Sequence, residues 1–189
     1  MYDDVADAVL AELVDVAEGL VVGDPAEAST TLGPLVDAEQ LAVVDAHVRA
    51  AVAAGARCLT GGAPLDRPGS FYPPTVLDHC PADADAVTEE TFGPVAAVVR
   101  VPSFDAALEA ANAGRYGLAA TVLTRDLGHA LRAAEELEVG TVKVNGVFGG
   151  APGGSADPRR DSGTGAGYGP DLLDEMTVLK TVHLEAPGT

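Results

Sequence analysis

The chain has 189 residues, 47% of them hydrophobic, so disorder is excluded and there is enough apolar material for a real core. Twenty-nine acids against eleven bases give a net charge of −18, a surface that repels phosphate backbones and makes nucleic acid and anionic membranes poor partners. Apolar runs fall far short of a membrane span and the start, MYDDVADAV, is acidic where a secretory signal needs positive charge, so a cytoplasmic location is expected.

Residues 2–20 carry Val5, Val9, Leu13, Val16 and Leu20 at helical spacing, with acids between them, and predict a first helix with those five as its apolar face. The stretch 23–35 reads as a loop from its Gly, Pro, Ser and Thr content. Asp37 starts a second helix, with Gln40 three residues on as in a capping box. Leu41, Val44, Val48 and Val52 form its apolar face and Gly55 ends it. Residues 56–60 predict a short strand before a turn-rich loop. The double proline in 71–80 restricts that extended stretch to a sheet edge or an irregular segment.

The two cysteines, Cys58 and Cys80, cannot build a disulfide framework, and neither sits in a CxxC or a His-bearing metal pattern. Both read as small buried hydrophobes. His79 adjoins Cys80, but neighbouring side chains on a strand point to opposite faces, so the two make no nucleophile pair.

"VTEETFGPVAAVV" (87–99) sets Glu89 and Glu90 before Phe92, Gly93 and Pro94, at the start of a buried strand. Either the segment is a polar lead-in closed by a turn, or the carboxylate and the ring face a ligand. Beyond it the pattern turns regular: a strand at 95–101, a helix N-capped by Ser103, a strand at 118–124, a helix ended by Gly140, and a strand at 141–147. Strand starts at 95, 118 and 141 are spaced by the length of a minimal right-handed βαβ unit, which predicts an α/β fold with a parallel sheet flanked by helices. Ligands then belong beyond the carboxyl ends of the strands, near Asn145, Phe148 and the glycine-rich loop 149–169. That loop lacks a P-loop ending and GxGxxG spacing, so it reads as a flexible connector, with Arg159 and Arg160 solvated. A short helix at 170–176 and a strand at 177–185 finish the chain.

Several stretches together resemble the C-terminal half of an aldehyde dehydrogenase. "GDP" followed by "LGPL", "GARCLTGG", "EETFGPV", "AANAGRYGLAATVLTRD", "GTVKVN", the "DSGTG" loop and "LKTVHL" resemble that family's motifs in order and spacing over almost all 189 residues. The "EETFGPV" box is the most specific of them. The resemblance implies one incomplete catalytic domain over 1–189, with NAD or NADP as cofactor. It implies that Glu90 hydrogen-bonds the ribose beside the nicotinamide and that Phe92 helps hold that ring. A carboxylate accepts well from vicinal hydroxyls, which suits the role. Asn145 and Phe148 match positions bordering the substrate tunnel, where a small aldehyde would pass.

The chain departs from the family at Lys143, where the pattern has Trp or Phe, at "PGG" (152–154), which lacks a phenylalanine, and at the extra residues "SADPRR". The family's cysteine nucleophile, glutamate base and nucleotide-binding domain all precede the helix that corresponds to 2–20, and neither Cys58 nor Cys80 matches the nucleophile. The expectation is therefore a C-terminal part of an NAD(P)-dependent aldehyde dehydrogenase, inactive alone and needing an N-terminal aldehyde dehydrogenase segment as partner. Its sheet would have an unpaired edge and its first helix an uncovered apolar face. The alternative is a non-catalytic binding module that forms a homo-oligomer through 177–185. A new activity has little to stand on, since His47, His79, His129 and His183 are scattered.

Overall fold

The computed structural model describes residues 1–146 and 154–185. In chain order its elements are α1 (Asp3–Gly19), α2 (Ala38–Ala53), β1 (Arg57–Thr60), β2 (Thr75–Asp78), α3 (Asp85–Thr88), β3 (Val95–Ala97), α4 (Phe104–Asn112), β4 (Tyr116–Gly117), β5 (Ala119–Val122), α5 (Leu127–Glu136), β6 (Thr141–Val144), β7 (Arg159–Arg160) and α6 (Pro170–Glu175). They fall into two compact units, 1–110 and 111–189.

The first unit is built around β2, whose four residues are all buried. It runs antiparallel to β1 and parallel to β3, with Leu77 opposite Cys58 on one side and Ala97 on the other. Of the two positions the double proline allows, an edge or an irregular stretch, the second holds: 71–74 are irregular, and the strand that follows them is central. Pro73 and Pro74 lie just outside the ladder and remove no donor from it. The first amide after them, Thr75 N, donates to Pro94 O at 2.8 Å.

Successive residues of a strand face opposite ways, and β2 uses both faces. Leu77 packs with Val44, Val48 and Ala51 of α2, while Val76 packs with Ala6, Leu10 and Ala17 of α1. The sheet is therefore flanked by a helix on each side, an α/β arrangement as the sequence predicts. Asp37 caps α2, its Oδ1 accepting from Gln40 N at 2.8 Å. Of the predicted apolar face of α1 only Leu13 packs against the core, and only partly buried. Ala6, Leu10 and Ala17 point inward, and Val5, Val9, Val16 and Leu20 are 48, 43, 62 and 38% exposed. The alanines at 6 and 17 let the helix lie close to the sheet, with Leu10 filling the space between them and the Val5, Val9, Val16 and Leu20 stripe left outside.

β2 ends on buried Asp78, which Arg100 holds with two bonds: Nε to Oδ1 at 2.9 Å and Nη2 to Oδ2 at 2.8 Å. The same Nη2 donates to Asp7 Oδ1 at 2.6 Å. The guanidinium keeps the Asp78 carboxyl far below its ordinary range, at about 2, against the opposing effect of burial.

In the second unit β5, α5 and β6 form a parallel βαβ step, Ala119 opposite Thr141 through Val122 opposite Val144, so the second 23-residue interval is structural. The first interval joins strands of separate ladders, because β3 pairs with β2 while β5 pairs with β6. Asp126 caps α5 by accepting from His129 N at 2.9 Å, and Ser103 Oγ accepts from Ala106 N at 3.1 Å at the start of α4.

The described part of the glycine-rich loop is no free connector. β7 pairs antiparallel with β4, and Arg160 donates to the carbonyls of Asn112 and Gly114 and to the Glu138 carboxylate. Asp161 meets Arg115 at 2.8 Å. A Cβ at Gly140 would fall on the Asp157 carbonyl, so glycine is required there for the loop to lie down. Residues 177–185, predicted as a strand, have no strand assignment among the described residues, and Val178, Leu179, Val182 and Leu184 are exposed. A strand exists only where its amides find a ladder, and this segment pairs with none among the described residues.

Candidate cofactor-binding site

The box at 89–95 is fixed by its backbone. Thr75 N reaches Pro94 O, and Val95 N reaches Gly93 O at 2.8 Å. From the other side α2 supplies three residues on one stripe. Gln40 Nε2 donates to the carbonyls of Thr91, at 2.8 Å, and Phe92, at 3.3 Å. Val44 lies so close to Gly93 that a Cβ there would come within 2.5 Å of its Cγ2. His47 Nδ1 is 3.1 Å from Thr91 Oγ1.

With the Thr91 and Phe92 carbonyls and the Thr91 hydroxyl turned toward α2, the side chains of Glu90 and Phe92 are left outward. Phe92 adopts a left-handed φ of +45° and is 71% exposed. Side chains rarely accept that conformation, and it costs about 1–3 kcal/mol wherever the surroundings impose it. Glu90 is exposed, and its carboxylate has no hydrogen-bond partner among the described residues. An unpaired carboxylate next to a strained, outward ring fits the ligand-facing reading better than a polar lead-in.

Beside the box, Leu32, Gly33, Pro34, Leu35, Tyr72, Gly93 and Pro94 line an apolar cleft of about 330 Å³. The Tyr72 hydroxyl lies 3.5 Å from Asp45 Oδ1, and burial, with that carboxylate, pushes the phenol well above its usual range.

Asn145 sits at the carboxyl end of β6, as the sequence predicts, also with a positive φ of 53°. Its Oδ1 accepts from Thr124 N at 2.9 Å and its Nδ2 donates to Thr124 O at 2.8 Å, so the side chain latches the ends of the two parallel strands together. Phe148 lies outside the described residues.

The thiols are poor nucleophiles. Cys80 is buried as expected, whereas Cys58, expected to be buried, is exposed at the edge strand β1; partial desolvation raises both thiols, and the Cys58 thiol donates to Thr60 O at 3.3 Å. His79 turns to Asp78, with Nδ1 2.9 Å from Oδ2, and gives neither cysteine a base. Among the described residues no group of three His, Cys, Asp or Glu side chains could hold a metal, and no helix is long and apolar enough to cross a membrane.

Sequence reasoning missed Gln40 and His47 as partners of the box. Gln40 does stand at the capping-box position, but its side chain reaches 51 residues along the chain instead of back to the cap. Nothing in the local pattern signals that choice.

Residues 1–182 match the aldehyde dehydrogenase family. A succinate-semialdehyde dehydrogenase [NADP(+)] of Mycolicibacterium paratuberculosis is 40% identical over 147 residues, covering 78% of this chain and 31% of its own length. Lactaldehyde dehydrogenase from Escherichia coli superposes with a TM-score of 0.87 at 33% identity, covering 92% of this chain and 37% of its own. Betaine aldehyde dehydrogenase from Staphylococcus aureus, solved in complex with NAD+, gives a TM-score of 0.84 at 31% identity, covering 92% and 35%. The chain thus spans about a third of the length of the relatives it matches.

Proposed function

The chain belongs to the aldehyde dehydrogenase family, and from that premise we propose that it forms the C-terminal part of an NAD(P)-dependent enzyme oxidising an aldehyde to a carboxylic acid. The observation that carries this reading is the outward pair in the box: Glu90 with an unpaired carboxylate and Phe92 held exposed at φ +45°. The bound nicotinamide supplies hydride acceptance. Glu90 accepts from the ribose hydroxyls and fixes the sugar, and the Phe92 ring covers one apolar edge of the base and excludes water from it. Asn145, by latching β5 to β6, shapes the strand ends where the aldehyde passes, with Phe148 on the segment beyond.

The nucleophilic thiol, the base and the nucleotide-binding domain come from an N-terminal segment. Two observations favour that partner. Desolvation raises both described thiols and His79, turned to Asp78, activates neither, and the Val5, Val9, Val16 and Leu20 stripe of α1 stands uncovered. Co-expression with an aldehyde dehydrogenase N-terminal segment is expected to restore aldehyde-dependent reduction of NAD+ or NADP+, read at 340 nm. The purified chain alone gives none. A well-formed complex without activity overturns the reading.

A further inference from the structure

We infer that Gln40 and His47 are positioning residues for the cofactor box, holding the backbone of Thr91–Gly93 so that Glu90 and Phe92 are presented outward; the functional part of this inference rests on the reading above. Gln40, Val44 and His47 stand at i, i+4 and i+7, one stripe of α2, and they meet three consecutive residues of the box. Each contact constrains a different group. The Gln40 amide has two N–H donors and finds two carbonyls, Thr91 O and Phe92 O, which also fixes which end of the amide is nitrogen. His47 takes the Thr91 hydroxyl, and Val44 closes the space over Gly93.

The left-handed Phe92 lies between these anchors. A residue holds such a conformation only when its neighbours over-determine it, and the anchors on either side of Phe92 come from α2. Gln40 is free for this because Asp37 accepts the Gln40 backbone N–H while the side chain is released from the reciprocal capping bond. One helix start therefore serves two purposes, terminating α2 and setting the pose of a segment 51 residues away.

The test separates the pose from the activity. The chain has four phenylalanines, so labelling with 3-fluorophenylalanine gives four ¹⁹F resonances, and the one lost in Phe92→Tyr is Phe92. Gln40→Glu keeps the size but sets an acceptor against two carbonyls; it is expected to shift and broaden the Phe92 resonance while the other three stay. Thr91→Val, which removes the partner of His47, is expected to do the same to a smaller degree. If Gln40→Glu does not fold, Gln40→Met and Thr91→Val decide by the same reading. An unmoved Phe92 resonance in the folded variants overturns the inference.

In the complex with the N-terminal segment, Gln40→Met is expected to raise KM for NAD(P)+ about fivefold to tenfold and leave KM for the aldehyde unchanged. Equal rises in both KM values, or a fall in kcat alone, overturn the cofactor role. An inactive wild-type complex counts against the proposed function, and the ¹⁹F result still stands on its own.

Discussion

Replacing Arg100 with methionine removes the partner of Asp78 while keeping most of the volume. The aspartate is 3% exposed and stays buried after the change, with His79 as its remaining partner. A carboxyl moved from its ordinary 3.8 to about 2 carries about 2 kcal/mol of stability at neutral pH, trimmed somewhat where water reaches the Arg100 side. Because the folded value is depressed, this contribution is complete above about pH 5 and is lost as the pH falls through 4 toward 2. Without the guanidinium the carboxyl loses the largest cause of its depression and only His79 opposes burial, so it moves up and the variant loses less stability than wild type as the pH falls. Breaking a buried pair costs about 3 kcal/mol at pH 7 by this reasoning, and the gap to wild type narrows to about 1 kcal/mol at pH 3. Urea unfolding followed by far-UV circular dichroism, in about 0.5 M salt to screen the background charge, measures both gaps. The Asp7 contact is exposed and adds little. A gap that is the same at pH 7 and pH 3, or below about 0.5 kcal/mol at both, refutes the reasoning.

Gly93→Ala drives a methyl into Val44 and is expected to cost about 1–3 kcal/mol, read as a lower urea midpoint; an unchanged midpoint means the box does not sit on α2 as described. Asn145→Ala loses both latch bonds and meets strain at φ +53°, while Asn145→Gly loses only the bonds, so alanine should be the worse by about 1 kcal/mol in thermal melts. With 29 acids against 11 bases, the melting temperature should climb as salt rises from about 0.05 to 1 M; a flat profile shows that self-repulsion is not a term in stability. Alkylation by iodoacetamide at pH 7 should be slow at Cys58 and absent at Cys80 until the chain unfolds, and fast labelling at neutral pH would contradict the raised thiols.

Local signals were the legible ones. Caps at Asp37 and Ser103 announced two helices because a short polar side chain ahead of an apolar period has a local partner. The β5–α5–β6 step was legible from its spacing, and the box that carries Glu90 and Phe92 stood out as a motif, while its cofactor role rests on the proposal above. What the sequence hid were choices made across the chain. Which stripe of α1 turns inward depends on how near the sheet lies, and the alanines win for that reason. Whether Pro73 and Pro74 disrupt a strand depends on whether the ladder starts before or after them. The arginine at 160 looks solvated until the carbonyls of Asn112 and Gly114 are brought to it. The segment 177–185 has a strand's alternation without a neighbour to pair with among the described residues.

The inversion at Phe92 has a consequence for how this region can change over generations. At Phe92 the main-chain carbonyl faces α2 and the side chain faces the solvent, the reverse of an ordinary buried turn. Information about folding and information about recognition are therefore written in different atoms of the same residues. New side chains at 90 can be tried without disturbing the architecture, while drift at 40, 44 or 47 alters the pose of every candidate at once.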